Sequence, residues 1–290
     1  MRQLRGRTAL VTGAAGGLGG YISRALAAEG VSLALSDLPE APHDGLIEEL
    51  RGNGVTVESV PADLTVREEA EGLVARAEEA VGPVDILVNN AGLEFAGEFT
   101  NLTADQIEGL VQVNLLAVML TTRAALPGMQ DRGRGHVVNI ASLAGKTFAP
   151  FLAIYSGSKH GVVGFTHSLL TEYGAEPVGF SAICPVFISR VGMFGRLEDE
   201  VPDPPPGFRA LPPERVGDAV VRAVRQNRAE IVVANPALRP LIGLSALAPR
   251  LAARLSRNRR TREFGEQFSR VKERAPSTPA EERAAAKASK

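Results

Sequence analysis

Short apolar runs alternate with longer amphipathic stretches along most of this chain. Thr8–Thr12, Ser32–Ser36, Thr56–Val60, Asp85–Asn89, His136–Ala141, Gly179–Cys184 and Glu230–Ala234 read as strands. Gly17–Glu29, Leu46–Arg51, Arg67–Val81, Ala104–Met129, Ala153–Tyr173 and Pro213–Asn227 read as helices between them. The strand runs are apolar without alternation, as in Ala9-Leu10-Val11 and Ile86-Leu87-Val88, which predicts strands covered on both faces. The repetition predicts an α/β fold: a single doubly wound parallel sheet with helices on both faces. Residues 185–211 break the pattern, with Pro202, Pro204, Pro205 and Pro206 forbidding regular structure at one end. A connection of that length is expected to be functional, here as a substrate loop. The main domain therefore spans 1–235, followed by a helical extension over 236–272 and a flexible polar tail over 273–290.

Composition removes several classes of function. Lys+Arg 32 against Asp+Glu 33 leaves a formal net charge of -1, so no overall field draws the chain to nucleic acid. The lone Cys184 excludes an intramolecular disulfide and thiolate metal sites, and reads as a small buried hydrophobe. His43, His136, His160 and His167 have no metal-ligand spacing, so no metal is expected. The polar segment Met1–Arg7 precedes an apolar run too short for a signal peptide, which predicts a cytoplasmic protein. No apolar run approaches the roughly 20 residues of a membrane span. Only Lys146, Lys159, Lys272, Lys287 and Lys290 are lysines, so a lysine inside an element invites a question.

Thr12-Gly13-Ala14-Ala15-Gly16-Gly17-Leu18-Gly19 joins the first strand to the first helix, where a doubly wound sheet holds a dinucleotide. A pyrophosphate needs close backbone approach and the unpaired N–H groups of a helix N-terminus, which Gly13, Gly17, Leu18 and Gly19 offer. Asp37, ending the second strand, would accept hydrogen bonds from the ribose hydroxyls and repel a 2′-phosphate, favouring NAD over NADP. A turn or helix-capping aspartate fits the same position. Asp63, with Leu64 beside it after the third strand, could bond the adenine amino group or cap the following helix.

Tyr155 and Lys159 lie four residues apart on a predicted helix, hence on one face. A free phenol titrates near 10, and bringing it to about 7 needs ~4 kcal/mol of differential stabilisation from neighbouring positive charge. The bare spacing also fits an exposed helix pair. Ser142, at the carboxyl end of the fifth strand, could polarise a carbonyl oxygen. Asn114 interrupts the apolar run Val111-Gln112-Val113-Asn114-Leu115-Leu116, so a buried amide must find partners there, either water on a proton path or neighbouring backbone.

Together with Asn89-Asn90-Ala91-Gly92, these residues resemble the short-chain dehydrogenase/reductase family over about residues 5–235. The resemblance implies a Rossmann-like fold and a nicotinamide-dependent enzyme interconverting an alcohol and a ketone or aldehyde. It further implies Tyr155 as general acid/base, Lys159 on the ribose hydroxyls, Ser142 orienting the substrate oxygen and Asn114 completing a relay. Asn90, Ala91 and Gly92 would line the adenosine side, and a homodimer or homotetramer would form through helix pairs. The sequence departs from the family after the sixth strand: Pro185 is followed by Val186 rather than glycine, and Ser189 stands where a threonine would meet the carboxamide.

Phe95, Phe148, Phe151, Phe187, Val191, Met193 and Phe194 predict an apolar pocket and a hydrophobic alcohol or ketone as substrate. The alternatives are an NADPH-dependent carbonyl or ketoacyl reductase, which Asp37 disfavours, and a dinucleotide-sensing regulator without turnover. Leu238–Phe268 mixes apolar residues with arginines and has three candidate fates: packing on protein, a flap over the pocket, or peripheral contact with a membrane. Packing on protein is the commonest fate of such a stripe.

Overall fold

The computed structural model describes residues 1–274 apart from 2, 42, 175, 176, 196 and 206. All but the first two residues of the expected polar tail lie outside them. The strands are β1 (Thr8–Thr12), β2 (Ser32–Ser36), β3 (Val57–Ser59), β4 (Ile86–Asn89), β5 (Gly135–Ile140), β6 (Val178–Pro185) and β7 (Glu230–Val233). The helices are α1 (Gly17–Ala28), α2 (Asp44–Arg51), α3 (Arg67–Val81), α4 (Ala104–Val111), α5 (Ala117–Asp131), α6 (Ala153–Glu172), α7 (Gly192–Gly195), α8 (Glu214–Gln226), α9 (Arg239–Leu247), α10 (Pro249–Ser256) and α11 (Arg259–Arg274).

All seven strands pair in parallel in the order β3-β2-β1-β4-β5-β6-β7, the doubly wound arrangement the strand–helix repeat predicts. Strand order reverses between β1 and β4, and the crevice at the carboxyl ends beside that reversal is where such sheets take ligands. Successive strand residues serve opposite cores. Ala9, Val11, Leu33 and Leu35 pack with Ile22 and Leu26 of α1, Leu50 of α2 and Val220 of α8. Leu10, Leu87 and Val137 pack with Leu73 of α3, Met129 of α5 and Leu169 of α6. Both faces are covered, so neither needs polar residues.

The helix expected over Ala104–Met129 is interrupted by a π-helical turn over Gln112–Leu116, the segment that carries Asn114. By length and composition the continuous run Ala104–Asp131 could cross a membrane, which a search for unbroken apolar runs overlooks. Half of its most apolar window is buried, and α5 packs on α3 and the sheet. A buried amide network ties that helix to the sheet: Asn89 Nδ2 donates to Asn139 Oδ1 at 2.8 Å and Thr121 Oγ1 donates to Asn89 Oδ1 at 2.8 Å. Asn139 Nδ2 in turn donates to Thr166 Oγ1 of α6 at 2.9 Å, so α5 and α6 are both registered against the ends of β4 and β5. The 185–211 segment holds the short α7 and a bridge between Ile188 and Leu211.

Candidate active site

The glycine loop is shaped by close backbone approach. Gly13 has φ +65°, and a Cβ there would sit 2.8 Å from Ala91 Cα; one at Gly19 would run into the Gly13 carbonyl oxygen. Asn90 fastens the loop by donating from Nδ2 to the Thr12 and Gly13 carbonyls at 2.9 and 3.1 Å. Thr12 Oγ1 accepts from the Asn90 and Ala91 amides. Helix α1 starts at Gly17 with no side-chain cap, which leaves its N-terminus to an anion. The loop therefore fits a dinucleotide pyrophosphate. Asp37 accepts from the Ala15, Gly16 and Leu38 amides at 2.9, 3.3 and 2.9 Å, so its carboxylate also braces the loop. Asp63 accepts from both the amide and the hydroxyl of Thr65, a local turn that orients it at the cleft edge.

On α6, Tyr155 is 8% exposed and Lys159 is 4% exposed, so the pair is not a solvated helix face. Lys159 Nζ donates to the Ile140 carbonyl at 3.0 Å and lies 5.8 Å from the centre of the Tyr155 ring. Ser142, at the end of β5, accepts from the Ala144 amide at 3.1 Å and lies near enough to the tyrosine hydroxyl to favour its ionised form. Burial raises the Tyr155 pKa above the ordinary phenol value; the Glu94 charge adds to this and the Ser142 hydroxyl opposes it. Burial pushes the Lys159 ammonium down to about 8, against the opposing influence of Cys184 and Glu94. Cys184 itself is buried and pushed up to about 12 by desolvation, an unreactive thiol. Asn114 is fully buried, and its amide is satisfied by protein: Oδ1 accepts from Leu93 N at 2.7 Å, and Nδ2 donates to Leu93 O and Ser158 Oγ at 2.9 and 3.2 Å.

These residues surround one cleft of about 940 Å³. Gly13, Gly17, Leu18, Gly19, Asp37, Asp63, Leu64, Asn90 and Ala91 line it together with Ser142, Tyr155, Lys159 and Pro185, and Gly92 sits beside Lys159. Asn114 stands behind the wall. Ser189 does not line the cleft: it is half-buried, and its hydroxyl donates to the Leu211 carbonyl at 3.3 Å beside the Ile188–Leu211 bridge. Ile188 and Val191 line the wall instead. Phe148, Phe187, Met193 and Phe194 line the cleft as expected, and Val191 does so from beside Gly17 of the glycine loop, whereas Phe95 is buried core and Phe151, at φ +64°, lies against α11.

Four further lining residues escaped the sequence reading. Phe264 and Phe268 of α11 stack on each other and meet the Phe187 ring at 5.4 and 6.4 Å. Lys272, one turn on, pairs with Glu94 at 3.2 Å; the two side chains are 14% and 8% exposed. That distance satisfies an ion pair, while Glu94 Oε1 has no aligned hydrogen-bond donor, so the attraction is chiefly coulombic. The spacing Phe264, Phe268, Lys272 and the scarcity of lysine are the signals that could have flagged this face.

The family profile of the short chain dehydrogenase matches residues 7–201. The ketoacyl reductase HetN of Nostoc sp. is 36% identical over 233 residues, 80% of this chain and 80% of that protein. The D-beta-hydroxybutyrate dehydrogenase of Cupriavidus necator is 34% identical over 185 residues, 64% of this chain and 72% of that protein. Among solved structures, an actinorhodin polyketide ketoreductase with NADPH superposes at TM-score 0.71 with 32% identity, covering 81% of this chain and 98% of its own. With a buried tyrosine and lysine and a half-buried serine at the carboxyl end of a doubly wound sheet and a family match over residues 7–201, the chain belongs to the short-chain dehydrogenase/reductase family of nicotinamide-dependent oxidoreductases acting on CH–OH and carbonyl groups.

Proposed function

We propose that this chain is an NAD-dependent dehydrogenase/reductase interconverting a hydrophobic secondary alcohol and its ketone or aldehyde. The observation that carries the reading is the single cleft in which the glycine cradle, the Tyr155–Ser142 contact and a phenylalanine-walled compartment follow one another. Gly13, Gly17, Leu18 and Gly19 would hold the pyrophosphate, Asp37 the adenine ribose, and Asp63, Leu64 and Asn90–Gly92 the adenosine surroundings. Lys159 and Tyr155 would meet the second ribose, with Pro185 and Ile188 against the carboxamide end. When bound, the nicotinamide supplies the hydride acceptor or donor. Ser142 holds the substrate oxygen, and Tyr155 takes its proton in oxidation or returns it in reduction. Lys159 opposes the burial cost of a phenolate with its charge. Asn114 positions the 93 segment and the Ser158 turn of α6, through which a proton path from Lys159 would run.

Asp37 supports NAD. Among the described residues the only cations lining the cleft are Lys159 and Lys272, and Lys159 is bonded to β5, three strands from β2. A 2′-phosphate would therefore face a carboxylate with no basic partner. The NADPH in the actinorhodin ketoreductase structure and the likeness to the ketoacyl reductase HetN favour a second reading, an NADPH-dependent ketoacyl reductase. Measuring kcat/KM with both dinucleotides over a panel from decanol and hydroxysteroids to polar sugars, with Tyr155→Phe as the blank, decides between them. Expected are a preference for NAD, at least about 10³-fold loss in the blank, and faster turnover of apolar substrates. A tenfold preference for NADP, or faster turnover of sugars, overturns the assignment. The dimer or tetramer belongs to the same proposal and is read by sedimentation velocity.

A further inference from the structure

The extension leaves an apolar stripe uncovered at the mouth of the cleft. Leu247, Leu251 and Leu255, spaced by four along the end of α9 and α10, are 88%, 48% and 53% exposed. Arg250, Arg254 and Arg257 are exposed among them and have no acidic partner among the described residues. From Ile231 to Arg262 the chain contains seven arginines and no acidic residue. Ala252, next to Leu251 on α10, is fully buried, so the short helix packs through its small residue while the leucines beside it stay exposed.

We propose that α9 and α10 dock this protein on an anionic lipid surface. A leucine stripe framed by arginines is the composition of an element lying in the headgroup layer. A second copy is a poorer occupant: a two-fold contact would set arginines against arginines, and three leucines expose far less than the roughly 800 Å² per partner of a stable interface. Leu255, Ser256 and Asn258 also line the cleft together with Leu241, so the docked face carries its mouth. If the lipophilic-substrate reading holds, such a substrate passes from bilayer to Tyr155 without crossing water; the docking itself does not depend on that reading.

Flotation of the full-length protein, without dinucleotide or substrate, tests it with vesicles of pure phosphatidylcholine and of phosphatidylcholine containing about a third phosphatidylglycerol. Binding at least about tenfold stronger to the anionic vesicles is expected, weakening as salt is raised. Replacing Leu247→Ser with Leu251→Ser, or Arg250→Gln with Arg254→Gln, should each lower it about tenfold while thermal stability and turnover of a water-soluble alcohol stay unchanged. Absence of binding, equal binding to both vesicles, binding indifferent to the leucines, or a dimer that the leucine replacements dissociate would overturn the proposal. Tyr155→Phe should bind vesicles as the native chain does, which separates this outcome from any failure of the catalytic reading.

Discussion

At the scale of single residues, the site works by placing ionisable groups where water is scarce. Burial works against the Tyr155 phenolate, and the Glu94 carboxylate works against it too. Glu94→Gln should therefore move the rising limb of the oxidation rate to lower pH, whereas Lys272→Met, which leaves Glu94 unpaired, should move it to higher pH; a pH–kcat profile reads both. Tyr155, Lys159 and Ser142 were legible because strand ends and helix spacing locate them. Glu94 was not, since an acid between Leu93 and Phe95 acquires meaning only when α11 brings Lys272 to it. His136 shows the same physics without catalysis. It is buried on β5 with Nε2 2.8 Å from Ser181 Oγ, and desolvation pushes it down to about 3. Its folded pKa lies below the unfolded value near 6.5, so between those values the unfolded chain binds more protons and stability falls as pH drops. Acid unfolding from pH 6.5 towards 3 should steepen by at most about 5 kcal/mol through this group. His136→Gln should flatten that slope in denaturant titrations.

Elements set the distances between those residues. The turn over Leu143–Gly145 after β5 packs directly on α6: a Cβ at Gly145 would lie 2.6 Å from the Lys159 carbonyl oxygen. Gly145→Ala should displace α6, lowering stability by about 1–3 kcal/mol. Because a shift near 1 Å in a reacting group can cost about 10²-fold, kcat should fall far more than the melting temperature suggests. The periodicity located α6 and the strands to within a residue or two, since each reports its own burial pattern. It missed the π-helical turn at Asn114, whose extra residue is stabilised by bonds to the distant Leu93 backbone rather than by any local preference. Likewise, Ser189 was expected at the cofactor and instead bonds Leu211, a partner on the far side of the 185–211 loop.

At the scale of the molecule, a sheet and an added helical extension enclose one cleft between them. Deleting residues 259–290, which removes α11 with Phe264, Phe268 and Lys272, should leave the dissociation constant for the dinucleotide within about threefold. The KM for a long-chain or steroid alcohol should rise at least about tenfold, since each buried phenylalanine contributes on the order of 1.5–3 kcal/mol; calorimetry and initial rates measure the two. The sequence alone determined the parallel α/β architecture, the glycine loop, Asp37 and the Tyr155–Lys159 pair. Those are local patterns: apolar periodicity, chain order and fixed spacing carry them without reference to distant residues. Only the tertiary structure decided which phenylalanines face the cleft, that Ser189 bonds Leu211, that Glu94 meets Lys272, and that the leucines of α9 and α10 stay uncovered. Each of those outcomes depends on which surfaces remain after the sheet and its helices have packed, and that is a property of the whole chain.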